Sequence, residues 1–584
     1  MPTISLNHSM MKRIQELNGA VYDGPILTDL LPNIGCPVES NDGDEIEIEV
    51  FPDRPDLLSH ETMAKAIRAF TGVGSIETKV EVSKGEFGIE VDRTMRVIRP
   101  VIMGAIVRSV NTGKGPQERD SFIQALMDHQ EKLHMTLGRK RSFSSIGVHD
   151  LSKLSPPFRY VSVSQDFSFT PLASEKEMSI SEILSSHPKG IEYSSLMEGL
   201  DSFPIILDSN DEVISFPPVI NGARTTVNED TTDFFIDVTG FDERACEACL
   251  LLVCLSLSEL GGAVESVEIT GWDGKVRTTP NFENRNHRVP NRLIEKILGV
   301  KLSDESINEA INRMGGKLIE SRTITDGSER HERWSDCVVG EREHVFSMPR
   351  WRSDIMHPID IVEDIAIGYG YGNLPEVLSS IHIDSTPLGS SNLHRRIRMS
   401  MRGVGLQEIQ SLTLSNERDQ FEKTNWSPIS KVTTISNPIS VDHTLLRQFI
   451  FPSLMNILAS NRHHELPQKV YELGEVVHDG ENMFRVSWAC AEVGAGFSVA
   501  KGIVQSLLRD LGADDSSVSF RGIMDDSGPW ISGRGAKVFV GDNEIGEFGE
   551  VSPEVIQSFG IRTPIHAGEF DVGIISNSIS DPLQ

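Results

Sequence analysis

The longest uninterrupted apolar run of this 584-residue chain extends only from Ala248 to Leu255. A membrane-spanning helix needs roughly 20 such residues, and the N-terminal stretch lacks the apolar core of a signal peptide. We therefore expect a soluble, cytoplasmic protein with no membrane partner. The length of the chain predicts about three to five domains.

The net charge limits how the chain can bind nucleic acid. Asp and Glu number 85 against 55 Lys and Arg, which gives a formal net charge of −30 in an otherwise globular composition. Phosphate groups are bound by clustered cations, so a surface this acidic cannot hold nucleic acid as a whole. We expect contact with nucleic acid only through a local basic patch or beside a more basic partner.

The six cysteines predict a reducing compartment and no disulfide framework. Cys246 and Cys249 have the C-x-x-C spacing of some zinc and redox sites, and Cys254 follows them. No second such pair and no nearby histidine completes four ligands, and the surrounding run is apolar. The pattern therefore favours small side chains packed on a core helix.

We predict a multidomain α+β fold. The sequence pattern changes from strand and helix signals to a mixed β-rich region, and then to two short amphipathic helices. A charged stretch at 325–337 predicts a solvent loop, and a serine-rich stretch at 378–391 predicts a linker. The four predicted segments are an N-terminal α/β domain at 1–95, an α+β domain at 96–272, a small winged-helix-like domain at 273–380 and a last module at 390–584.

The strand signal is clearest in the first segment. In DEIEIEV, Ile46, Ile48 and Val50 alternate with glutamates, which is typical of a strand with one face in water. FPDRPDLLS follows and predicts a turn. HETMAKAIRAFTG then has helical spacing and should end at Gly72.

A group of four carboxylates stands in WRSDIMHPIDIVEDIAIGYGYGNLPE. Asp360, Glu363 and Asp364 have the spacing that places them on one face of a helix, and Asp354 precedes them. Converging carboxylates raise one another's pKa unless a cation neutralises them. Oxygen ligands suit Mg²⁺, so the pattern is compatible with a magnesium site. The alternative is a helix N-terminus that carries acidic residues because the helix dipole favours them.

A second candidate lies in SFPPVINGARTTVNEDTTDFFIDVTG. Apolar, strand-like residues surround Ser215, Asn221, Thr225, Asp237 and Thr239. A carboxylate in a buried strand is costly, and such groups are often functional, so Asp237 is a candidate site residue. The alternative is an Asp near a strand end that caps the turn at Gly240.

Two further stretches carry isolated cations or polar groups. Arg139, Lys140 and Arg141 form a basic turn in LHMTLGRKRSFSSIGVHDLSKLSPPFRY, and His149 with Asp150 adds a possible polar site. A solvated loop is the favoured interpretation of this turn. In ISNPISVDHTLLRQFIFPSLMN the cation among apolar neighbours is Arg447. The phosphate-binding, nucleophile-elbow and zinc-protease motifs are absent from the sequence.

Together these stretches resemble the β subunits of phenylalanyl-tRNA synthetases of the archaeal and eukaryotic type, over essentially the whole chain. FPDRPDLLSHETMAKAIRAF is similar to the family's N-terminal signature, and the basic-turn and Asp237 stretches resemble its editing domain. The most specific match is RSDIMHPIDIVEDIAIGYGYGNLPE. In the family this element supplies magnesium ligands, which implies one Mg²⁺ per β subunit. The ligands would be Asp354, Asp360, Glu363 and Asp364.

The resemblance also implies the activity. The chain would be the β subunit of phenylalanine–tRNA ligase (EC 6.1.1.20), would assemble as α2β2 with the catalytic α subunit, and would bind tRNA(Phe). ATP would be used at the α subunit. The last segment resembles a class II synthetase module, an antiparallel sheet with helices, but an inactive one. Glu472 and Glu475 have no nearby arginine in the sequence, and no glycine-rich strand ending in arginine follows.

The editing domain implies a second reaction, the hydrolysis of mischarged Tyr-tRNA(Phe). Tyrosine is phenylalanine with one more hydroxyl, and an apolar pocket rejects an added hydroxyl by only about a hundredfold. The implied editing residues are Asp237, Ser215, Asn221 and Thr239, with the basic turn holding the tRNA end. The alternative function is a non-catalytic nucleic-acid-binding or regulatory scaffold derived from this subunit.

Overall fold

The computed structural model describes residues 3–74, 80–325, 338–376, 385–525 and 528–579. The chain forms two compact units, Met1–Leu378 and Ser379–Gln584. The charged loop predicted at 325–337 lies outside the described residues except for its first residue. The first part of the linker predicted at 378–391 is also outside them.

The N-terminal region is built on an antiparallel sheet in the order β1-β3-β2. Ile46 and Ile48 of β3 are buried opposite Leu6 and Ile4 of β1, as the alternation predicted. The predicted α/β class is wrong here, because α/β implies parallel strands and these three strands pair antiparallel. The elements are β1 Thr3–Asn7, α1 His8–Leu17, α2 Leu27–Leu30, β2 Val38–Asp42, β3 Glu45–Glu49 and α3 His60–Thr71.

The second region contains the largest sheet. Helix α8 carries Cys246, Cys249 and Cys254, which are buried and free, as the packing interpretation predicted. The elements are β4 Val82–Ser83, β5 Gly88–Val91, α4 Met95–Ile98, β6 Val101–Arg108, α5 Pro116–Met135, β7 Ser144–Asp150, β8 Phe158–Val163, β9 Ser168–Phe169, β10 Met178–Ser179, α6 Ile180–Ser186, α7 Pro188–Tyr193, β11 Phe203–Leu207, β12 Val213–Phe216, β13 Ile220–Asn221, β14 Phe234–Gly240, α8 Glu243–Glu259, β15 Ala263–Thr270 and β16 Val276–Thr279.

Within the described residues this sheet has eleven strands, and its main path is β13-β12-β11-β8-β5-β15-β6-β14-β7, with β16 and β4 also paired to β15. Helices α5 and α8 cover one face of the β6, β14 and β7 portion and share its core with the N-terminal region. Ile102, Ile106 and Phe235 belong to a second core, which includes Phe158 and Tyr160 of β8. The face of β14 that carries Phe235 is therefore covered from the other half of the sheet.

The third region has the two amphipathic helices predicted from its sequence, α9 and α10. They pack with α11 against an antiparallel sheet in the order β17-β19-β18. The elements are β17 Arg285–Pro290, α9 Asn291–Leu298, α10 Asp304–Arg313, β18 Lys317–Thr323, β19 Arg342–Met348 and α11 Pro358–Tyr369.

The C-terminal unit is a sheet covered on two faces. The strand order is β20-β23-β24-β28-β27-β26-β25, antiparallel except for β20 against β23. Helices α12, α14 and α16 share one core, and α13 and α15 share another. The elements are α12 Gly389–Gly403, β20 Gln407–Glu408, β21 Leu414–Ser415, β22 Leu445–Leu446, α13 Phe451–Ser460, β23 Gln468–His478, β24 Glu481–Ala491, α14 Phe497–Asp510, β25 Val518–Ile523, β26 Trp530–Val540, β27 Asn543–Val551, α15 Pro553–Ser558, β28 Ile565–Asp571 and α16 Val572–Ser578.

Within the described ranges, none of the helices combines the length and the apolar character that crossing a bilayer requires.

Candidate functional site

One face of the large sheet carries the polar residues predicted in the second segment. Strand β14 lies between β6 and β7, and Asp237 faces Gly104 of β6 and Gly147 of β7. Side chains alternate along a strand, so Phe235, Asp237 and Thr239 share this face. Gly147 leaves room beside the carboxylate, which explains how a charged side chain fits into a buried strand.

A histidine holds Asp237. His149 Nε2 lies 2.7 Å from Asp237 Oδ2, and His149 Nδ1 lies 2.8 Å from Thr225 Oγ1. An ionised carboxylate only accepts hydrogen bonds, so the N–H group at His149 Nε2 is the donor and Asp237 Oδ2 is the acceptor. All three side chains are buried. Asp237 Oδ1 has no hydrogen-bond partner in the described part of the chain, so one oxygen of Asp237 is fixed and the other is available.

This pair requires glycine at position 147. A Cβ on Gly147 would overlap Asp237 Oδ2 and would lie 2.6 Å from His149 Nε2. The carboxylate therefore reaches His149 by crossing directly over the main chain of β7. Any side chain at this position would separate the acid from the imidazole.

A buried arginine lies beside Thr239. Arg99 donates from Nε to Thr239 Oγ1 at 3.0 Å and from Nη2 to Thr239 O at 2.8 Å. Nη2 also donates to Ser145 Oγ and to the Arg141 carbonyl, both at 3.2 Å. These acceptors are neutral, and burial lowers the pKa of Arg99. No carboxylate accepts a hydrogen bond from Arg99 within the described ranges, which is unusual for a buried cation.

The structure brings together two of the four predicted editing residues. Asp237 and Thr239 share one face, whereas Ser215 Oγ donates to Asn221 Oδ1 at 3.2 Å and neither of these residues bonds to Asp237. The alternative in which Asp237 caps the turn at Gly240 is wrong. Its carboxylate is hydrogen-bonded to His149 in the middle of the strand and therefore does not cap the turn.

The basic turn has two exposed cations and one buried cation. Arg139, Lys140 and Arg141 have φ of 43°, 54° and 65°, which is left-handed backbone at three consecutive residues. Arg141 donates to two main-chain carbonyls after β12 at 3.1 Å and to Glu131 at 2.6 Å. The solvated-loop interpretation is therefore wrong for Arg141. It is correct for Arg139 and Lys140, which are exposed.

An arginine supplies the cation that the four clustered carboxylates need. Arg352 Nη2 donates to Asp354 Oδ2 at 2.7 Å and to Asp364 Oδ1 at 2.9 Å. Asp360 Oδ2 accepts from two main-chain N–H groups at the start of α11, both at 2.7 Å. Burial and then the neighbouring carboxylates raise the pKa of Glu363. Burial also raises the pKa of Asp364, so the cost of the predicted repulsion is shared by Glu363 and Asp364.

In this arrangement the four carboxylates do not fit a magnesium ion. Mg²⁺ demands near-octahedral oxygen ligands. Within the described residues, no three His, Cys, Asp or Glu side chains are grouped so that they could hold a metal ion. Asp354, Asp360, Glu363 and Asp364 do line one cavity, and Asp364 Oδ2 is buried without a hydrogen-bond partner. The magnesium ligand set stays a prediction.

In the C-terminal unit, an arginine that was predicted to be missing is present. Arg447 Nη2 donates to Glu472 Oε1 at 2.7 Å, and Nη1 donates to Ser411 Oγ at 2.7 Å. The prediction that Glu472 lacks an arginine is therefore wrong, because its partner comes from a distant part of the sequence. Glu475 contributes its main-chain carbonyl to Arg447 Nε at 2.9 Å.

Sequence reasoning missed Arg99, and it singled out Thr225 and His149 without connecting either of them to Asp237. The stretch SSIGVHD did carry a signal, because Ser145, Gly147 and His149 alternate with apolar residues and so share one strand face. No comparable signal existed for Arg99. Its acceptors are 42 to 140 residues away in the sequence.

Three family models match the chain. They are the phenylalanyl-tRNA synthetase β chain CLM domain over residues 374–572, the tRNA synthetase B5 domain over 288–371 and the B3/4 domain over 100–248. These matches include the Asp237 face, the acidic element of α11 and the C-terminal unit.

Relatives match over nearly the full length. The phenylalanine–tRNA ligase β subunit of Archaeoglobus fulgidus is 38% identical over 575 residues, which are 98% of each chain. That of Methanococcoides burtonii is 36% identical over 98% of this chain and all of the relative. A solved N-terminal fragment of the phenylalanyl-tRNA synthetase β subunit from Pyrococcus horikoshii has a TM-score of 0.55 and 30% identity. It covers 63% of this chain and 99% of that fragment.

The first prediction concerns Arg352. Replacing Arg352 with Met should lower the free energy of unfolding by about 3–5 kcal/mol, because Asp354 and Asp364 would remain buried without a counter-charge. Denaturant unfolding of the full chain measures this. Arg277→Met, which removes a cation from exposed ion pairs, is the matched control and should have a small effect. Equal effects of the two substitutions would contradict the role given to Arg352.

A second measurement tests the magnesium ligand set. If Arg352 supplies the neutralising charge, the melting temperature should be the same with Mg²⁺ and with a chelator. A rise with Mg²⁺ that is lost in Asp360→Asn, a substitution that keeps the size of the side chain, would support the predicted metal ligands instead.

Proposed function

Because the chain belongs to the family of phenylalanine–tRNA ligase β subunits, we propose that it joins the catalytic α subunit in the ATP-dependent attachment of phenylalanine to tRNA(Phe). We further propose that it hydrolyses mischarged Tyr-tRNA(Phe). The assembly would be an α2β2 tetramer in the cytoplasm. The alternative, a scaffold without synthetase function, gains no support from the relatives.

The charges of the C-terminal unit support placing ATP on the α subunit. A triphosphate requires cations that are free to bind it. Arg447 is paired with Glu472, and Arg485 Nε lies 2.9 Å from Glu569 Oε1, with both arginines buried. These two cations are neutralised by carboxylates of the same sheet. They therefore contribute no charge to a phosphate site, as expected of an inactive class II module.

An exposed apolar loop in the C-terminal unit supports an α-subunit partner. The stretch from 433 to 446 folds back on itself, since Thr434 bridges to Leu445 and Ile435 N donates to Thr444 O at 2.9 Å. Ile439 and Val441 lie at its tip and are almost fully exposed. Apolar side chains displayed together are typical of a protein interface.

Val441→Asp should therefore weaken binding of the α subunit at least tenfold, because it would place a charge in an apolar interface. Val493→Asp is the matched control: Val493 is 86% exposed and Val441 is 83% exposed in the same unit. Co-purification and sedimentation measure the assembly. Equal binding by the two variants would mean that α contacts a different surface.

The single observation that carries the editing proposal is the free oxygen of Asp237. Its other oxygen is fixed by His149, so Oδ1 has a defined position in an otherwise apolar region. Hydrolysis adds a water oxygen to the ester carbonyl carbon, breaks the bond to the ribose oxygen and leaves a water proton on that ribose oxygen. Asp237 Oδ1 can hold the tyrosyl ammonium or orient this water. Both roles require a fixed oxygen.

The polar groups around Asp237 suit tyrosine better than phenylalanine. A buried phenol hydroxyl needs a hydrogen-bond partner, and a site that offers one discriminates against a substrate that lacks the hydroxyl. Thr239 and Ser145 hydroxyls lie 3.0 Å apart on the Asp237 face, and the Ser215–Asn221 pair lies on β12 and β13. We propose the Thr239 and Ser145 hydroxyls as candidates for holding the phenol, while Ser215 and Asn221, which are not bonded to Asp237, stay predicted editing residues.

His149 cannot act as the base itself in this arrangement, because Asp237 occupies Nε2 and Thr225 occupies Nδ1. We therefore assign it a positioning role. It keeps Asp237 Oδ2 occupied, so that Oδ1 remains directed at the substrate.

Asp237→Ala should slow deacylation of preformed Tyr-tRNA(Phe) at least tenfold in the enzyme assembled with its α subunit, because the fixed oxygen is lost. Single-turnover release of tyrosine measures this, and Phe-tRNA synthesis should stay near the wild-type rate. Asp211→Ala, which removes an exposed carboxylate from the same domain, is the control. Equal deacylation by the Asp237 variant and wild type would remove Asp237 from the site.

His149→Gln and His149→Ala separate positioning from proton transfer. The glutamine amide can still donate to Asp237 but does not titrate, so His149→Gln should keep deacylation within about threefold of wild type. His149→Ala should approach the Asp237→Ala rate. If both His149 variants are equally slow, the imidazole has a chemical role that this assignment does not include.

A further inference from the structure

The Asp237 face continues past the end of β14 to an exposed aromatic side chain. Phe241 N donates to Phe143 O at 3.0 Å, so the pairing with β7 extends one residue beyond Gly240. By alternation, Phe241 lies on the same face as Asp237 and Thr239. Asp237 is 1% exposed and Phe241 is 56% exposed. At roughly 3.3 Å per residue the two are about 13 Å apart along the strand. The face therefore leads from a buried carboxylate to the surface.

Arg99 contacts both Thr239 and Phe241 on this face. Its Cζ lies 5.6 Å from the centre of the Phe241 ring, while Nε and Nη2 are bonded to Thr239. Its Nη1 has no hydrogen-bond partner among the residues that the structure describes. A buried guanidinium whose acceptors are all neutral favours an approaching anion or hydroxyl.

One exposed cation of the basic turn, Arg139, contacts an aromatic side chain that neighbours Phe241 and lies just before the adjacent strand. Arg139 Cζ lies 4.4 Å from the centre of the Phe143 ring, and Phe143 is tied to Phe241 through the main chain. The turn is fixed by main-chain bonds, including Phe143 N to Gly138 O at 3.0 Å. Lys140 is exposed beside Arg139. In a chain of net charge −30, these two exposed cations, of which Arg139 lies over an aromatic ring, form a distinct local surface.

We propose that Phe241 is the stacking platform for the 3′-terminal nucleobase of tRNA, with Arg139 and Lys140 contacting the phosphates of that end. This inference rests on the proposed editing function and deepens it by assigning the site of the nucleotide. The aminoacyl group would reach Asp237, the ribose would lie near Thr239 and Arg99, and the base would cover Phe241. Unpaired RNA ends are recognised in this way, by stacking on aromatic rings and by cations on the backbone.

The first test is deacylation kinetics of Tyr-tRNA(Phe) by the assembled enzyme. Phe241→Ala should raise KM about tenfold with kcat reduced less than twofold, and Phe241→Trp should restore KM, because an aromatic ring suffices for stacking. Ile191→Ala is the matched control, since Ile191 is also 56% exposed. An unchanged KM in Phe241→Ala, or a loss that Phe241→Trp does not restore, would overturn the inference.

The second test is the salt dependence of KM. Removing one phosphate contact to single-stranded nucleic acid reduces the slope of log affinity against log salt by about 0.7. Lys140→Ala should show this reduction, whereas Lys176→Ala, which removes an exposed lysine from the same domain, should not. An identical slope in Lys140→Ala and wild type would remove Lys140 from the site.

The third test separates this inference from the editing proposal. Uncharged tRNA(Phe) carrying 2-aminopurine at its 3′ end is bound to the assembled enzyme while a stable phenylalanyl-adenylate analogue occupies the synthetic site. Stacking on Phe241 should quench the fluorescence, and Phe241→Ala should remove the quenching. Quenching that depends on Phe241 without any Tyr-tRNA deacylation would sustain the nucleotide site and overturn editing. Deacylation without such quenching would sustain editing and overturn the nucleotide site.

Discussion

A charge removed from water must find a partner inside the protein, and this constraint shapes the most informative parts of the structure. Arg352 satisfies it with Asp354 and Asp364, and Arg447 satisfies it with Glu472. In each group the opposite charges neutralise one another inside the protein, which stabilises the fold.

The Asp237 face meets the same constraint differently. Among the described residues, its carboxylate has a histidine on one oxygen and no hydrogen-bond partner on the other, and Arg99 has only neutral acceptors. The charges on this face are thus held in place without a direct hydrogen bond between Asp237 and Arg99. Unneutralised but positioned groups are the ones that can act on a substrate. The contrast with Arg447 is why we assign chemistry to this sheet and a structural role to the C-terminal one.

The local sequence pattern was sufficient for predictions that concern a single helix or strand. The alternation of Ile46 and Ile48 gave the correct strand, Gly72 ended the predicted helix with φ of 69°, and Asp237 was correctly taken as a buried strand carboxylate. The local pattern failed where the hydrogen-bonding partner of a residue lies in another part of the sequence. Glu472 seemed to lack an arginine because Arg447 lies 25 residues earlier in the sequence.

The sequence by itself determined the family, the four-part organisation that we predict, and which residues are chemically unusual, because these depend on residue type and spacing along one segment. The tertiary structure alone decided how those residues are paired. His149 meets Asp237 across two neighbouring strands, and Arg99 meets Thr239 at a separation of 140 residues. Hydrogen bonds and ion pairs act over a few ångströms of space, and distance along the chain does not encode that proximity until the sheet has formed.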